Sequence, residues 1–353
     1  MNKMKIRTLL VDSDFLLKRS FSVGEDQYTK SFGSISGLYG FMITIRKLIK
    51  DHGINKLVLV WDGENGGIAR HRISPEYKAN RKNKSWYTKI ELNENEIKKE
   101  QEKRESILKS RKRIQAYCEE LFIRQIEVDE IEADDIIATY CLKYNNKEEL
   151  FLFTNDRDFA QLLDLNMTII FSNINVPITK TNYLMYFNHH YSNALVMKVI
   201  GGDPADNIKG IKGIKEDILL KYFPEMKFKH LSVKEICGKA DEINKERIKN
   251  KQKPLKIFEN LLKNIEKLKI NYRITNLREP FLNENAYNEL EQLEMPLSPE
   301  NRGSKNLYKM LIEDEFLTVY KSTFVNFVEP FYTVIMSEKQ LLNEYNKKSK
   351  NIL

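Results

Sequence analysis

Three carboxylates are crowded into the stretch IEADDIIATY, which runs from Ile131 to Tyr140. They belong to Glu132, Asp134 and Asp135, and an apolar run with helix-like spacing follows them. Like charges this close repel one another, and the dipole of a helix N-terminus offsets only about 0.3–1 kcal/mol for each acid. Two interpretations follow: the acids cap a helix, or cations hold them together.

Further acids stand where strand-like runs end or in a glycine-rich turn. They are Asp12, Asp62, Asp156, Asp158, Asp203 and Asp206. Sites in a parallel sheet lie outside the carboxyl ends of the strands, so these side chains are expected to converge on one edge. Carboxylate oxygens suit Mg²⁺ or Mn²⁺, and two such ions about 3.5–4 Å apart serve phosphodiester hydrolysis. The joint pattern favours metal-dependent phosphoryl chemistry, although each acid alone also fits an ordinary cap or turn.

The positive charge of the chain is concentrated in one segment. Between Arg70 and Arg113 there are 15 Lys and Arg against seven Asp and Glu, a net charge of +8 that equals the net charge of the whole chain. From about Lys78 to Arg113 the chain is polar, which predicts a partly helical excursion from the core. Its field suits a polyanion such as nucleic acid, while the plainer interpretation is a solvated helical face with paired charges.

Hydrophobic runs predict the elements that position these acids. Strand-like runs are Ile6–Asp12, Lys56–Gly63, Leu150–Asp158 and Asn166–Ser172, and Ser36–Ile49 has helical spacing. Apolar strands that alternate with helices predict an α/β fold, with a mostly parallel sheet covered on both faces.

The character of the chain changes near residue 200. Glycines punctuate the stretch that begins at Gly201, helical patterns follow, and Asn260–Tyr272 is predicted to be one amphipathic helix. We therefore expect a catalytic domain at 1–200 and a helical domain at 201–353.

Composition excludes several classes of protein. No apolar run approaches the roughly 18 residues of a membrane span, and the N-terminus lacks a signal-peptide pattern. The three cysteines, Cys118, Cys141 and Cys237, are scattered, so neither a disulfide framework nor a zinc site is expected. A soluble protein of the cytoplasm is predicted.

Together the motifs resemble the flap endonuclease and 5′–3′ exonuclease family, which includes the 5′ nuclease domain of bacterial DNA polymerase I and the phage enzymes called RNase H. In chain order they are VDSDFLLKRSF, VLVWDG, EYKANR, EIEADDIIA, TNDRDFAQLL and IGGDPADNIKGIKGI. The resemblance implies a PIN-like sheet flanked by helices, a basic helical arch or clamp over 70–113, and a helix–three-turn–helix element in the C-terminal helical domain. The phage RNase H-like branch fits best, because it too is degenerate in that element.

The resemblance also implies roles for individual residues. The first metal would be held by Asp12, Asp62, Glu132 and Asp134. The second would be held by Asp156, Asp158 and Asp203, with Asp135 and Asp206 as neighbouring acids. Catalytic roles are implied for Asp134 and Asp156, and for Lys78 and Arg81, which would contact the scissile phosphate.

Nucleic-acid contacts are expected from the first motif, the basic segment and the glycine-rich stretch. The residues are Arg19, Arg70, Arg72, Tyr77, Lys78, Arg81, Lys82, Lys84, Lys209, Gly210, Lys212 and Gly213. Tyr77 would stack on a base. The plainer alternatives are a salt bridge for Arg19 and general phosphate attraction for Lys78 and Arg81.

Two departures from the family pattern concern these sites. Ser13 replaces a glycine, and Asp14 adds an acid next to the first metal site. In the helix–three-turn–helix element Lys215 replaces the third glycine and Asp217 replaces a lysine, which affects the expected grip on duplex DNA.

The predicted function is that of a structure-specific 5′ nuclease that uses two Mg²⁺ or Mn²⁺ ions. Its substrates would be DNA with a 5′ flap or a single-strand/duplex junction and RNA/DNA hybrids, as in primer removal during replication or repair. A monomer is expected, in host cytoplasm if phage-encoded, with single-strand-binding or other replication proteins as partners. The alternatives are a PIN-like endoribonuclease and a non-catalytic, structure-specific DNA-binding protein.

Overall fold

The computed structural model describes residues 5–23, 27–82, 94–300 and 302–350. Among these residues the strands are β1 (Arg7–Asp12), β2 (Tyr28–Thr29), β3 (Gly33–Ser34), β4 (Lys56–Trp61), β5 (Arg124–Glu127), β6 (Glu149–Thr154), β7 (Met167–Phe171), β8 (Gly202–Asp203) and β9 (Ile208–Lys209). Five of them form a parallel sheet in the order β5-β4-β1-β6-β7. The other four form two small antiparallel hairpins, β2-β3 and β8-β9.

Helices cover the sheet and form most of the second half of the chain. In the described residues the α-helices are α1 (Ser13–Val23), α2 (Ser36–His52), α3 (Ile68–Ile73), α4 (Ala79–Lys82), α5 (Glu94–Glu120), α6 (Ala133–Tyr144), α7 (Ala194–Gly201), α8 (Glu216–Tyr222), α9 (Val233–Lys249), α10 (Lys256–Lys263), α11 (Ile265–Thr275), α12 (Glu284–Gln292), α13 (Ser304–Glu313), α14 (Phe316–Tyr320), α15 (Phe324–Val328) and α16 (Tyr332–Lys350). Short 3₁₀ turns occupy Arg157–Leu162, Tyr183–Met185, Tyr191–Asn193, Pro224–Lys227 and Glu329–Phe331. None of the described helices is both long and apolar enough to cross a membrane.

The central strand β1 explains why both faces of the sheet are covered. Successive side chains of a strand point to opposite faces. Leu9 and Val11 accordingly join one apolar cluster with α1 and α2, while Leu10 joins another with α6. All three are fully buried, so the acid that follows them is placed at the sheet edge by a rigid strand.

The predicted parallel sheet is confirmed, and the structure refines its elements. All four strands expected from apolar runs are present. The short edge strand β5 was not predicted. The helix predicted over Asn260–Tyr272 is wrong as one element, because α10 ends at Lys263 and α11 begins at Ile265, with Asn264 between them.

The second half of the chain contributes to three large apolar clusters, because Leu277 and Leu290 also pack into the one that contains Leu10. Residues from Val196 to Leu268 form an apolar cluster of their own. By contrast α13 to α16 return to the sheet, where Leu311, Phe316 and Phe331 pack into the cluster that contains Leu9. The helical DNA-binding domain expected at 201–353 stays a prediction, and the structure shows that α13 to α16 bury their apolar faces against the sheet side of the molecule.

Candidate active site

Four carboxylates reach one cleft from separate elements. Asp12 ends β1, Asp62 follows β4, Asp134 lies in the first turn of α6 and Asp156 follows β6. They line a cleft of about 360 Å³ together with Lys78. The parallel strands end on the same edge, so the fold brings these four predicted acids together, and Asp206, a fifth, lines the same cleft.

Neighbouring groups fix the orientation of two of these carboxylates. Asp12 Oδ1 accepts from the N–H of Phe15 at 3.2 Å, and its Oδ2 accepts from Thr154 Oγ1 at 3.0 Å. Asp62 Oδ1 accepts from the N–H of Ala133 at 2.9 Å. The side chains are thus oriented by the starts of the helices and the end of β6.

The cleft holds more negative charge than its own cations neutralise. Burial, with repulsion from Asp62, raises the pKa of Asp12 to about 7. Burial also raises the pKa of Asp134 well above its usual range, and the charges of Asp156 and Asp12 add to this effect. The ionised forms are therefore costly unless a cation enters the cleft.

Glu132 is neutralised within the protein. Its carboxylate is bonded by Lys78 Nζ, lies 2.8 Å from Arg70 Nη1 and accepts from the Tyr77 hydroxyl at 3.0 Å. Burial alone would raise the pKa of Glu132, but the charges of Lys78 and Arg70 outweigh it and the pKa is lowered. Glu132 is ionised and already has three partners.

Arg70, Tyr77 and Asp135 have positions that differ from their predicted roles. Arg70 and Tyr77 are only 3% and 4% exposed, which corrects the prediction that they contact nucleic acid. Arg70 binds both oxygens of Asp135, at 2.5 and 2.9 Å, and the amide of Phe281 donates to the same carboxylate. Asp135 is therefore corrected from a metal-site acid to a buried counterion that holds Arg70 beside Glu132.

A second acidic group surrounds a buried lysine. Lys198 Nζ, from α7, bonds Asp158 and lies 2.9 Å from Asp203 and 3.1 Å from Asp206. Burial raises the pKa of Asp158 to about 7, although Lys198 opposes this. The sequence analysis did not single out Lys198; the available indication was a lysine inside the otherwise apolar helix ALVMKVIG.

Lys78 connects the two acidic groups. Its N–H donates to the carbonyl of Asp206 at 2.8 Å, and its backbone takes a positive φ of 51°. Its Nζ points instead to Glu132. Lys78, which was predicted to contact the scissile phosphate, is therefore held at the cleft by a backbone hydrogen bond.

The residues fit a divalent cation in chemical type. Within the described ranges, no three acidic, histidine or cysteine side chains already surround a single point as an ion would require. Lysine ion pairs already neutralise several of the acids, because Lys78 pairs with Glu132 and Lys198 pairs with Asp158 and Asp203. The raised pKa values of Asp12 and Asp134 nevertheless mark carboxylate oxygens that lack enough counter-charge, and such oxygens are the donors that Mg²⁺ and Mn²⁺ prefer.

The acid that departs from the family pattern has a structural partner. Asp14 Oδ2 accepts from the N–H of Asp62 at 2.8 Å, and Arg111 lies beside its other oxygen. The buried Ser13 hydroxyl donates to the carbonyl of Val11 at 3.2 Å. Arg111 was counted in the basic segment but not singled out, because only the fold brings α5 to this site.

The predicted nucleic-acid residues lie on more than one surface. Arg19 lines the cleft, where its Nη2 donates to the Ser172 carbonyl at 3.4 Å, and Arg72 and Lys212 are exposed. Lys209 is also exposed and pairs with Glu76 at 2.6 Å. The side chains of Arg81 and Lys82 and the whole of Lys84 lie outside the described residues.

The glycine-rich stretch has a clear structural purpose at two positions. A Cβ on Gly210 would lie 2.3 Å from the backbone of Gly201, so only glycine fits there. Gly213 has a φ of +86°, which favours glycine. Lys215, which replaces a third glycine, donates to the Gly201 carbonyl at 2.6 Å and so ties the stretch to α7.

Comparison with known proteins places the chain among characterised relatives. Residues 7–192 match the family model described as 5′-3′ exonuclease, N-terminal resolvase-like domain. A 5′-3′ exonuclease of Mycoplasmopsis pulmonis is 30% identical over 209 residues, which cover 59% of this chain and 63% of that protein. A 5′-3′ exonuclease of Halalkalibacterium halodurans is 25% identical over 219 residues, which cover 59% of this chain and 66% of that protein. The matches thus span less than two thirds of each relative.

The fold has a counterpart among solved structures. The T5 5′-exonuclease, in a structure with bound divalent zinc, superposes with a TM-score of 0.60 at 19% identity. The likeness covers 89% of this chain and 99% of the T5 chain. It extends through the helical second half, which the family model does not reach.

Proposed function

The chain belongs to the family of 5′-3′ exonucleases with an N-terminal resolvase-like domain, and from this premise we propose that it is a divalent-metal-dependent, structure-specific 5′ nuclease. The observation that carries the proposal is the cleft in which Asp12, Asp62, Asp134 and Asp156 face one another beside Lys78. In this arrangement Lys78 could contact a phosphate of a nucleic-acid backbone, and the carboxylate oxygens could bind divalent ions. We propose two Mg²⁺ or Mn²⁺ ions as the finer form of the site.

The proposed substrates are DNA with a 5′ flap or a single-strand/duplex junction, and RNA/DNA hybrids. The basic segment that begins at Arg70 and ends at Arg113 contains Lys78 at the cleft and most of α5. Its main features are positive charge and aromatic side chains, so recognition would follow structure more than sequence. The segment from Gly201 to Lys215 is proposed to grip duplex, through Lys209 and Lys212. We also propose that the protein is a monomer. Single-strand-binding or other replication proteins are its proposed protein partners.

Bound divalent ions would supply an acidic water and neutralise charge on the reacting phosphate. The residues of the chain supply the rest. Asp12 and Asp62 are oriented by their hydrogen bonds and would hold cations without rearrangement of the sheet. Lys78 is proposed to move from Glu132 to a phosphate oxygen, because its backbone is already fixed at the cleft. Tyr77 and Arg70 would keep Glu132 ionised during that exchange.

One assay tests the proposal against its alternatives. A 5′-flap duplex, an RNA/DNA hybrid and a single-stranded RNA are each incubated with the full chain in Mg²⁺ or in EDTA. Mg²⁺-dependent cleavage of either duplex substrate near its 5′ end is expected. Cleavage of the single-stranded RNA alone would identify a PIN-like endoribonuclease. Tight binding of flap DNA without any cleavage would identify a non-catalytic DNA-binding protein.

A further inference from the structure

Asp62 lies beyond the end of its strand, where the sheet no longer holds its backbone. β4 ends at Trp61, whose partner in β5 is Glu127. Both peptide groups beside the Asp62 Cα nevertheless have partners. Asp14 Oδ2 accepts from its N–H at 2.8 Å, and Arg111 Nη2 donates to its C=O at 3.3 Å.

Arg111 makes these contacts from α5, a different part of the chain. Its guanidinium carbon lies 4.9 Å from the centroid of the Trp61 ring. Its Nη1 lies 3.7 Å from Asp14 Oδ1, and its Nη2 lies 2.9 Å from Glu127 Oε2. A planar guanidinium can stack on a ring while its fork of N–H groups donates in fixed directions, whereas an ammonium has three donors but no planar face.

We propose that Arg111 and Asp14 form a clamp that positions Asp62 to bind a divalent cation. The same contacts fix the position of α5 relative to the cleft. The proposal rests on the proposed function, since the cation is the one that the nuclease would use. Arg111 is a positioning residue, because it acts on the cation site through the backbone of Asp62 and through Asp14. Groups that orient metal ligands commonly change metal affinity by about 10-fold to 100-fold when they are removed.

The direction in which Mg²⁺ affinity changes when Arg111 is removed distinguishes this clamp from a purely electrostatic effect. Arg111 is a positive charge beside a cation site. If it acted only through that charge, its removal would leave the cleft more negative and would strengthen Mg²⁺ binding. If it positions Asp62, its removal weakens Mg²⁺ binding instead.

The test measures Mg²⁺ binding directly, by the rise in melting temperature of the full chain as Mg²⁺ is titrated without any nucleic acid. For Arg111→Gln we expect the half-saturating Mg²⁺ concentration to rise by about 10-fold. Lys47→Gln is the matched control, because Lys47 is an exposed residue of α2 and loses the same charge. The control is expected to bind Mg²⁺ as the parent does.

Two further variants keep the proposal falsifiable. Arg111→Lys retains the charge but not the planar fork, and it is also expected to bind Mg²⁺ more weakly; it decides the question if Arg111→Gln does not fold. Asp14→Ala removes the acceptor for the Asp62 N–H. Because the two residues act on one peptide segment, the double variant should lose less than the two single losses combined.

The outcomes are distinct. Unchanged or tighter Mg²⁺ binding in Arg111→Gln, parent-like binding in Arg111→Lys, or absence of Mg²⁺ stabilisation in the parent would each overturn the clamp. Cleavage is assayed separately on the 5′-flap duplex. A parent that binds Mg²⁺ through the clamp but cuts no substrate would refute the proposed nuclease and leave the clamp standing.

Discussion

Asp134 carries a buried carboxylate beside those of Asp12 and Asp156, and burial with their repulsion raises its pKa well above the usual range. Asp134→Asn keeps the shape but removes the charge. We expect cleavage of a 5′-flap duplex in Mg²⁺ to fall by about 100-fold or more, because one cation ligand is lost. Without Mg²⁺ the variant should melt at a higher temperature than the parent at pH 8, because a repelled charge is gone.

Asp51→Asn is the control for that substitution, since Asp51 is an exposed acid near the C-terminal end of α2. Its activity and melting temperature should match those of the parent. An Asp134→Asn variant that cuts at the parental rate would refute the assignment of Asp134 to the cation site.

Asp12 predicts how Mg²⁺ binding depends on pH. Its pKa is raised from 3.8 to about 7, mainly by burial. The folded protein therefore favours the protonated form of Asp12. The stability that this group contributes is fully present below about pH 3.8 and is lost as the pH rises through about 7. Below pH 7 a cation must displace that proton, and Mg²⁺ binding should tighten from pH 6 to pH 8, by up to about 10-fold per unit below 7 for each proton displaced.

This pH dependence is measured by Mg²⁺ titration of the melting temperature at pH 6, 7 and 8. Asp12→Asn should bind Mg²⁺ weakly at every pH and show a smaller pH dependence. Equal half-saturating concentrations at pH 6 and pH 8 in the parent would show that the proton on Asp12 is not linked to Mg²⁺.

The position of Lys78 predicts that its substitution lowers the cleavage rate more than it weakens DNA binding. Its Nζ reaches into the cleft and bonds Glu132, whereas Lys209 is exposed and pairs with Glu76. For Lys78→Met we expect the single-turnover cleavage rate to fall by about 100-fold while Kd for flap DNA changes less than about 3-fold. For Lys209→Met we expect the reverse pattern, a modest loss of binding with the rate kept. A Lys78→Met variant that loses only binding would favour general phosphate attraction.

The acids of the cleft were predictable because strand ends are visible in the sequence. Asp12, Asp62 and Asp156 each follow an apolar run, and parallel strands end on one edge. Their cationic partners were not predictable in the same way. Lys198 and Arg111 meet the acids across long separations in the chain, and charge patterns in sequence do not specify which lysine or arginine faces inward.

At the scale of elements, the hairpin β8-β9 predicts a strict requirement for Gly210. A Cβ there would lie 2.3 Å from the carbonyl carbon and oxygen of Gly201 and 2.6 Å from the Gly202 nitrogen, which are backbone atoms that cannot move aside. We expect Gly210→Ala to lower the free energy of unfolding by about 1–3 kcal/mol in urea denaturation and to weaken duplex binding.

Gly238→Ala is the matched control for the hairpin variant. Gly238 lies within α9, and a Cβ added there meets no atom within 4 Å. The substitution should raise stability by up to about 1 kcal/mol, because alanine favours a helix over glycine. A Gly210→Ala variant that is as stable as the parent would show that the hairpin can move away from α7 without loss of stability, and that glycine is not required at this position.

The elements that the sequence analysis missed have physical reasons. β5 has four residues, and two of its side chains are Arg124 and Glu127, so its apolar pattern is too short to recognise. The predicted single helix at Asn260–Tyr272 fails at Asn264, where the side chain amide donates to the carbonyl of Asn260 at 2.7 Å. Asparagine competes locally for backbone hydrogen bonds in this way.

At the scale of the whole molecule, a buried ion pair joins the last helix to the sheet. Arg124 in β5 donates to both oxygens of Glu338 in α16, at 2.8 and 2.6 Å, and their side chains are 1% and 4% exposed. Glu338→Gln would leave a buried arginine without a full counter-charge. We expect a loss of about 3 kcal/mol in the free energy of unfolding.

Glu344→Gln provides the comparison on the same helix, because Glu344 is exposed and accepts a hydrogen bond from Gln340 within α16. It should change stability by less than about 0.5 kcal/mol. Equal effects of the two substitutions in urea denaturation would mean that α16 contributes little to the folded core.

The return of α13 to α16 to the sheet also bears on how the protein is made. Chains emerge from the ribosome with the N-terminus first, at about 5–20 residues per second. A nascent chain that has reached residue 300 already carries every acid of the cleft, yet the face that receives Leu311, Phe316 and Phe331 is still open to water. Nucleation of that face by segments so distant in the chain is slow. The core on this side of the sheet is therefore completed only after α13 to α16 have been synthesised, so a nascent chain carries its cleft acids before that core can close.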